Sequence, residues 1–259
     1  MATAHKRAAD IVRVIAFRES IFYHRCTRSL PQETILTSPI VVFDLDGTLV
    51  DTAVDLVAGL NHAIAQKGVE PVTYEDLTHL VGHGAKAMIE RTYSLRQKEL
   101  TDDDLQSQLK EFIAYYSDTM PGLSRPYPGV LAAMDALSAA GFKLAVCTNK
   151  MEALARKLLD TLDLTARFAA ITGGDTFAVR KPNAEHLLST IAMADADPTQ
   201  AIMIGDSLND ILVARNASIP SIGVPFGYSD VPIEDLNPTQ VIHHFDELTP
   251  DLVHKLLRR

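Results

Sequence analysis

Runs of four or five mostly apolar residues recur at Ile40–Phe43, Lys143–Cys147, Phe168–Ile171, Ala201–Ile204 and Ser221–Val224. That length and continuity fit strands buried on both faces of a parallel sheet. Helical patterns lie between them: Val130–Gly141, Met151–Leu162, a segment opening at Pro182, and Ser207–Ala217. Glycine at the end of the first suits a helix stop, and Pro182 suits a first turn. Alternating β and α predicts an α/β fold, a doubly wound parallel sheet with right-handed crossovers.

One interval breaks the alternation. From Thr52 to Tyr127 there are helical signals over Val54–Lys67, Glu75–Leu80, Ala85–Arg96 and Asp102–Ser117, and no strand pattern. Roughly 75 residues is too long for a plain crossover. It predicts a small all-helical insert after the first strand, with Pro121–Gly129, rich in Pro and Gly, as the return linker. The expected division is a Rossmann-like catalytic core at 39–52 and 128–259, a helical cap at 53–127, and a basic N-terminal extension at 1–38.

A net charge of −9, no Trp and 6% aromatic residues argue against nucleic-acid binding. No run approaches the ~18 apolar residues of a membrane span. Cys26 and Cys147 are far apart and form no metal-binding spacing, which suggests a reducing, cytoplasmic setting. The extension carries six Lys and Arg against three acids. It reads as a dispensable tail or early start, as a docking or dimer helix, or as a transit peptide.

Ligands of such sheets bind beyond the carboxyl ends of the strands. The first strand ends in Asp44-Leu45-Asp46-Gly47-Thr48, and the second in Thr148-Asn149. The third leads to Arg180-Lys181-Pro182, and the fourth to Gly205-Asp206 with Asp210 one helical turn on. Burying adjacent carboxylates is costly unless a cation compensates. Mg²⁺, which favours oxygen ligands, would be held by Asp44, Asp206, the Asp46 carbonyl and Asp210, the last through metal-bound water. Thr148 and Lys181 would converge on phosphate. Asp44 would then attack phosphorus, while Asp46 serves as acid and base with a raised pKa. Leu45 and Asn149, in the adjoining loops, join Thr148 and Lys181 as candidate substrate-binding positions.

The segments DLDGTLVDT, CTN, RKP and GDSLND, in that order, resemble the four motifs of the haloacid dehalogenase superfamily. The resemblance runs from Ile40 to the C-terminus. It implies a nucleophile at Asp44, an acid/base at Asp46, phosphate binding by Thr148 and Lys181, and a Mg²⁺ site at Asp206 and Asp210. The insert is similar to the family's C1 cap. Asp at position 46 implies phosphatase or phosphomutase chemistry, since relatives that dehalogenate lack it. HLVGHGAKAMIER and RPYPGV resemble members that hydrolyse 2-phosphoglycolate to glycolate and phosphate.

A cap loop closing on a small phosphorylated acid would bring His83 or Lys86 to its carboxylate. Rival readings are a β-phosphoglucomutase-like mutase, a nucleotide or pyrophosphate phosphatase, and a non-catalytic phosphate-binding module. A monomer or a homodimer is expected, with no nucleic-acid or membrane partner.

Overall fold

The computed structural model describes residues 38–77 and 84–258. The extension up to residue 37 and His83 lie outside the described residues. Six parallel strands form the sheet: β1 Ser38–Phe43, β4 Lys143–Cys147, β5 Ala170–Thr172, β6 Ala196–Gly205, β7 Ser221–Gly223 and β8 Gln240–Val241. Their spatial order is β5-β4-β1-β6-β7-β8. The chain reverses its direction of winding beside β1, where such sheets open a crevice for ligands.

Strand periodicity explains the two-sided core. Val41 and Phe43 join Val146, Ile171, Ile202 and Ile204 on one face, against α5 Val130–Ala139, α6 Glu152–Thr161 and α9 Pro250–Leu257. Ile40 and Val42 face the other way with Ala145, Cys147 and Met203, against α7 Ala184–Met193 and α8 Leu208–Asn216. The expected doubly wound sheet is present.

Four helices lie between β1 and β4 before α5: α1 Ala53–Ala65, α2 Tyr74–Leu77, α3 Ala85–Leu95 and α4 Asp102–Thr119. They enclose a separate apolar cluster including Leu56, Leu60, Ile64, Met88, Ile89, Phe112 and Tyr116. Thr101 caps α4 by accepting from the Asp104 N–H at 3.1 Å, and three aspartates occupy its first turn. Both features favour a helix N-terminus.

The sequence pattern missed several short elements. The helical interval contains a strand after all: β2 Val50–Asp51 pairs antiparallel with β3 Arg125–Pro126, zipping together the two chain crossings. Two residues are too few for a period-2 signal. The edge strand β8 escaped for the same reason. The third strand starts two residues later than expected, because Thr165–Arg167 forms a 3₁₀ turn. No described helix is long and apolar enough to cross a membrane.

Candidate active site

The turn after β1 is built by the Leu45 carbonyl, which accepts from the N–H groups of Leu49 and Val50, both at 3.0 Å. Gly47 has φ +81°, a conformation costly for a residue with a Cβ. A Cβ there would sit 2.5 Å from Asp206 Oδ2, so the turn packs directly on the second acid. Asp44 and Asp46 both line one cavity. The Leu45 side chain instead enters the core and is fully buried, so only its backbone remains near the site.

Asp44, Asp206 and Asp210 are all buried, and one oxygen from each lies within 4.8 Å of the others. Lys181 Nζ reaches Asp44 Oδ1 at 2.7 Å and Asp210 Oδ1 at 2.6 Å. Burial alone would lower the lysine's pKa, but the Asp210 and Asp44 charges outweigh it and hold the ammonium protonated. Asp206 accepts from Thr48 Oγ1 at 2.8 Å and from the Tyr228 N–H at 2.6 Å. Burial, then the charges of Asp210 and Asp44, push its carboxyl up to about 8. Burial also raises Asp44, to about 6, against the opposing pull of Lys181.

These acids fit a divalent cation. One lysine balances three buried carboxylates, and Asp44 Oδ1 receives no directed hydrogen bond despite its ion pair. The donors are all hard oxygens, suited to a hard ion. Asp210 does more than expected. As N3 of α8 its Oδ2 accepts from Ser207 N at 3.0 Å and Ser207 Oγ at 2.6 Å, a capping box that fixes the helix beneath the site.

Thr148 is buried at the exit of β4, and its Oγ1 accepts from the Lys150 N–H at 3.3 Å. Its own O–H is thus available to a ligand. Asn149 donates from Nδ2 to the Lys181 carbonyl at 3.1 Å, tying two strand exits together. His186 accepts the Lys181 N–H at Nδ1, 3.1 Å. Burial, followed by the Lys181 charge, lowers its pKa to about 4, which keeps that lone pair free.

Asp46 carries a partner that the sequence reading did not anticipate. Lys150 Nζ lies 3.0 Å from Oδ1 and 3.1 Å from Oδ2, while Thr52 Oγ1 donates to Oδ1 at 2.7 Å. Lys150 also contacts Tyr116 OH of α4 at 2.9 Å. Burial alone would lower its pKa; the Asp46 charge, with the hydrogen bonds to Tyr116 and Asp46, outweighs it, and the net shift is upward. Its position two residues after Thr148 was the available signal.

Asp44, Asp46, Thr148, Asn149, Lys150, Lys181 and Asp206 line one cavity of about 1040 Å³, whose other side is lined by residues of α3 and α4. Lys86 lines it too, but is exposed and lies 3.7 Å from Glu90. Cys147 is buried in β4 with its thiol pushed up to about 11, chiefly by burial, and is inert core.

A six-stranded parallel sheet with acids at the β1 and β6 exits, a threonine at β4 and a converging lysine is the architecture of a phosphoryl-transfer hydrolase. The family model of haloacid dehalogenase-like hydrolases matches residues 41–224. Phosphoglycolate phosphatase of Agrobacterium fabrum is 59% identical over 222 residues, 86% of this chain and 95% of that protein. Its counterpart from Mesorhizobium japonicum is 47% identical, over 86% of this chain and 98% of the relative. The crystal structure of a predicted phosphoglycolate phosphatase from Haemophilus somnus superposes with TM-score 0.76 at 29% identity, covering 82% of this chain and 96% of that one. The chain belongs to the haloacid dehalogenase-like hydrolases, and within them it is a phosphatase, a phosphoric monoester hydrolase.

Proposed function

We propose that this phosphatase hydrolyses 2-phosphoglycolate to glycolate and phosphate through an aspartyl-phosphate on Asp44, with Mg²⁺ as its metal. The observation that carries the reading is the convergence of Asp44, Asp46, Thr148 and Lys181 on one cavity wall, in a chain 59% identical to a phosphoglycolate phosphatase. Asp44, Asp206 and Asp210, with the Asp46 carbonyl, would hold the ion. When bound, it neutralises charge on the phosphoryl oxygens and keeps Asp44 ionised.

The chain's own residues do the rest. Lys181 and the Thr148 hydroxyl bind the phosphoryl group and orient it toward Asp44. An Asp44 oxygen attacks phosphorus, the ester P–O bond breaks, and Asp46, which must enter this step protonated, gives its proton to the departing glycolate oxygen. Asp46 then takes a proton from water as that water attacks phosphorus. The P–O bond to Asp44 breaks, releasing phosphate and restoring the carboxylate. Helices α3 and α4 would exclude bulk water once they close over the bound substrate. Helices α1 to α4 serve as the cap, and Lys86 on its wall would attend the substrate. His83, named with it, lies outside the described residues. The two cysteines and the lack of a disulfide signal favour the cytoplasm, with the protein a monomer or a homodimer.

A phosphate-release screen over 2-phosphoglycolate, sugar phosphates, nucleotides and pyrophosphate tests the substrate. Asp44→Asn with Mg²⁺ tests the nucleophile: turnover should disappear, and residual activity near that of the parent would end the reading.

A further inference from the structure

The phosphoryl end of the proposed substrate is already matched by Lys181, Thr148 and the cation that the three aspartates would hold. Its carboxylate needs a separate cation, because an anion withdrawn from water without a partner is costly. Among the described residues, Lys86, Lys150, Arg180 and Lys181 line the cavity. Lys181 is engaged by Asp44 and Asp210. Lys86 and Arg180 are exposed, Lys86 with 66% of its side chain in solvent. Of the three that remain, Lys150 is the one held off solvent: 6% of its side chain is accessible.

Position favours the same residue. Asp46 must come within hydrogen-bond reach of the ester oxygen, about 2.6–3.2 Å. In a two-carbon acid phosphate a single methylene separates that oxygen from the carboxylate carbon. The carboxylate oxygens therefore lie only about 3 Å from the ester oxygen, by ordinary bond lengths. They must fall in a small shell around the Asp46 carboxyl, and Lys150 Nζ stands in that shell, 3.0 Å from Oδ1. An ammonium has three donors. With one shared by the Asp46 oxygens and one on Tyr116 OH, a third remains for a ligand. The Tyr116 ring, 4.5 Å from Nζ, and its hydroxyl keep the lysine aimed along the wall.

Resting on the phosphoglycolate reading above, we propose that Lys150 binds the substrate's carboxylate and so selects short acid phosphates over neutral phosphomonoesters.

Steady-state kinetics with 2-phosphoglycolate and with ethyl phosphate, which has two carbons and no carboxylate, test this. The parent enzyme should prefer the acid by on the order of 10- to 100-fold in kcat/KM, the worth of one charge-assisted hydrogen bond. In Lys150→Met that ratio should fall close to one, while Lys157→Met, an exposed lysine outside the cavity, leaves it high. Lys150→Gln and Lys150→Arg keep the test open should the Met variant fail to fold: Gln must collapse the ratio and Arg must retain part of it. An equal loss on both substrates would reduce Lys150 to a support for Asp46 and overturn the proposal, as would a collapse in Lys86→Met alone. A parent enzyme with no turnover of 2-phosphoglycolate refutes the underlying reading instead.

Discussion

Gly47→Ala tests whether the β1 turn sets the position of Asp206. The substituted residue would be held at φ +81°, a strain of about 1–2 kcal/mol. Its Cβ would lie 2.5 Å from Asp206 Oδ2 and 2.9 Å from Tyr228 Cδ2, whereas ordinary contact starts at 3.4 Å. Asp206 must therefore retreat by roughly 1 Å, a displacement that can cost about 100-fold in rate when it disturbs a reacting centre. Gly227 packs against the same carboxylate, since a Cβ there would meet that oxygen at 2.3 Å, so Asp206 has little room to move. The assay is kcat against Mg²⁺ concentration, with thermal melts alongside. The expected result is a kcat about 100-fold lower, a higher cation requirement and a Tm lower by about 3–6 °C. Gly68→Ala is the control: its φ is +61° and a Cβ there meets nothing within 4 Å, so it should lower Tm without touching kcat. A folded Gly47→Ala enzyme within about threefold of the parent in kcat and cation dependence would refute the reasoning.

Two further outcomes are expected. Burial raises Asp44 to about 6 and Asp206 to about 8, so the metal-free native state binds more protons than the unfolded chain between pH 4 and pH 8. Its stability should fall as pH rises through those values, with Mg²⁺ restoring more at pH 8.5 than at pH 5. Melts in chelator that rise over this range, or an Asp206→Asn variant with the same slope, would contradict this. Tyr228→Phe removes a hydroxyl that accepts from Thr52 N at 2.7 Å and Ala53 N at 2.9 Å and donates to Asp51 at 2.7 Å. It should cost about 2–3 kcal/mol in denaturant unfolding; a loss under about 0.5 kcal/mol would show that water replaces the hydroxyl.

The doubly wound sheet was legible because each buried strand is an uninterrupted apolar run that ends in a residue with no packing reason to be there. Asp44, Thr148 and Asp206 stand out against Phe43, Cys147 and Ile204 for that reason. Lys150 did not, since a lysine before a helix usually signals solvent; only burial against Asp46 and Tyr116 changes its meaning. Tyr116 is 50 or more positions from the motifs on one side and sits in a helix whose pattern marked it simply as core. His186 and Tyr228 act through a ring nitrogen and a backbone N–H, contacts that residue type does not disclose. Asp210 was read as facing metal-bound water, yet its oxygens are also used by Lys181 and by the start of α8, because a carboxylate at N3 serves its own helix first.

The two-residue ribbon β2–β3 has a mechanical consequence. Both polypeptide passages to the helical layer run side by side through it, paired at Val50–Pro126 and Asp51–Arg125, so a tilt of that layer would turn about this one line. Tyr228 grips that line with its hydroxyl and steadies Asp206 with its amide. Any tilt of the helical layer about that line would therefore reach Asp206, one of the three clustered aspartates, through a single residue.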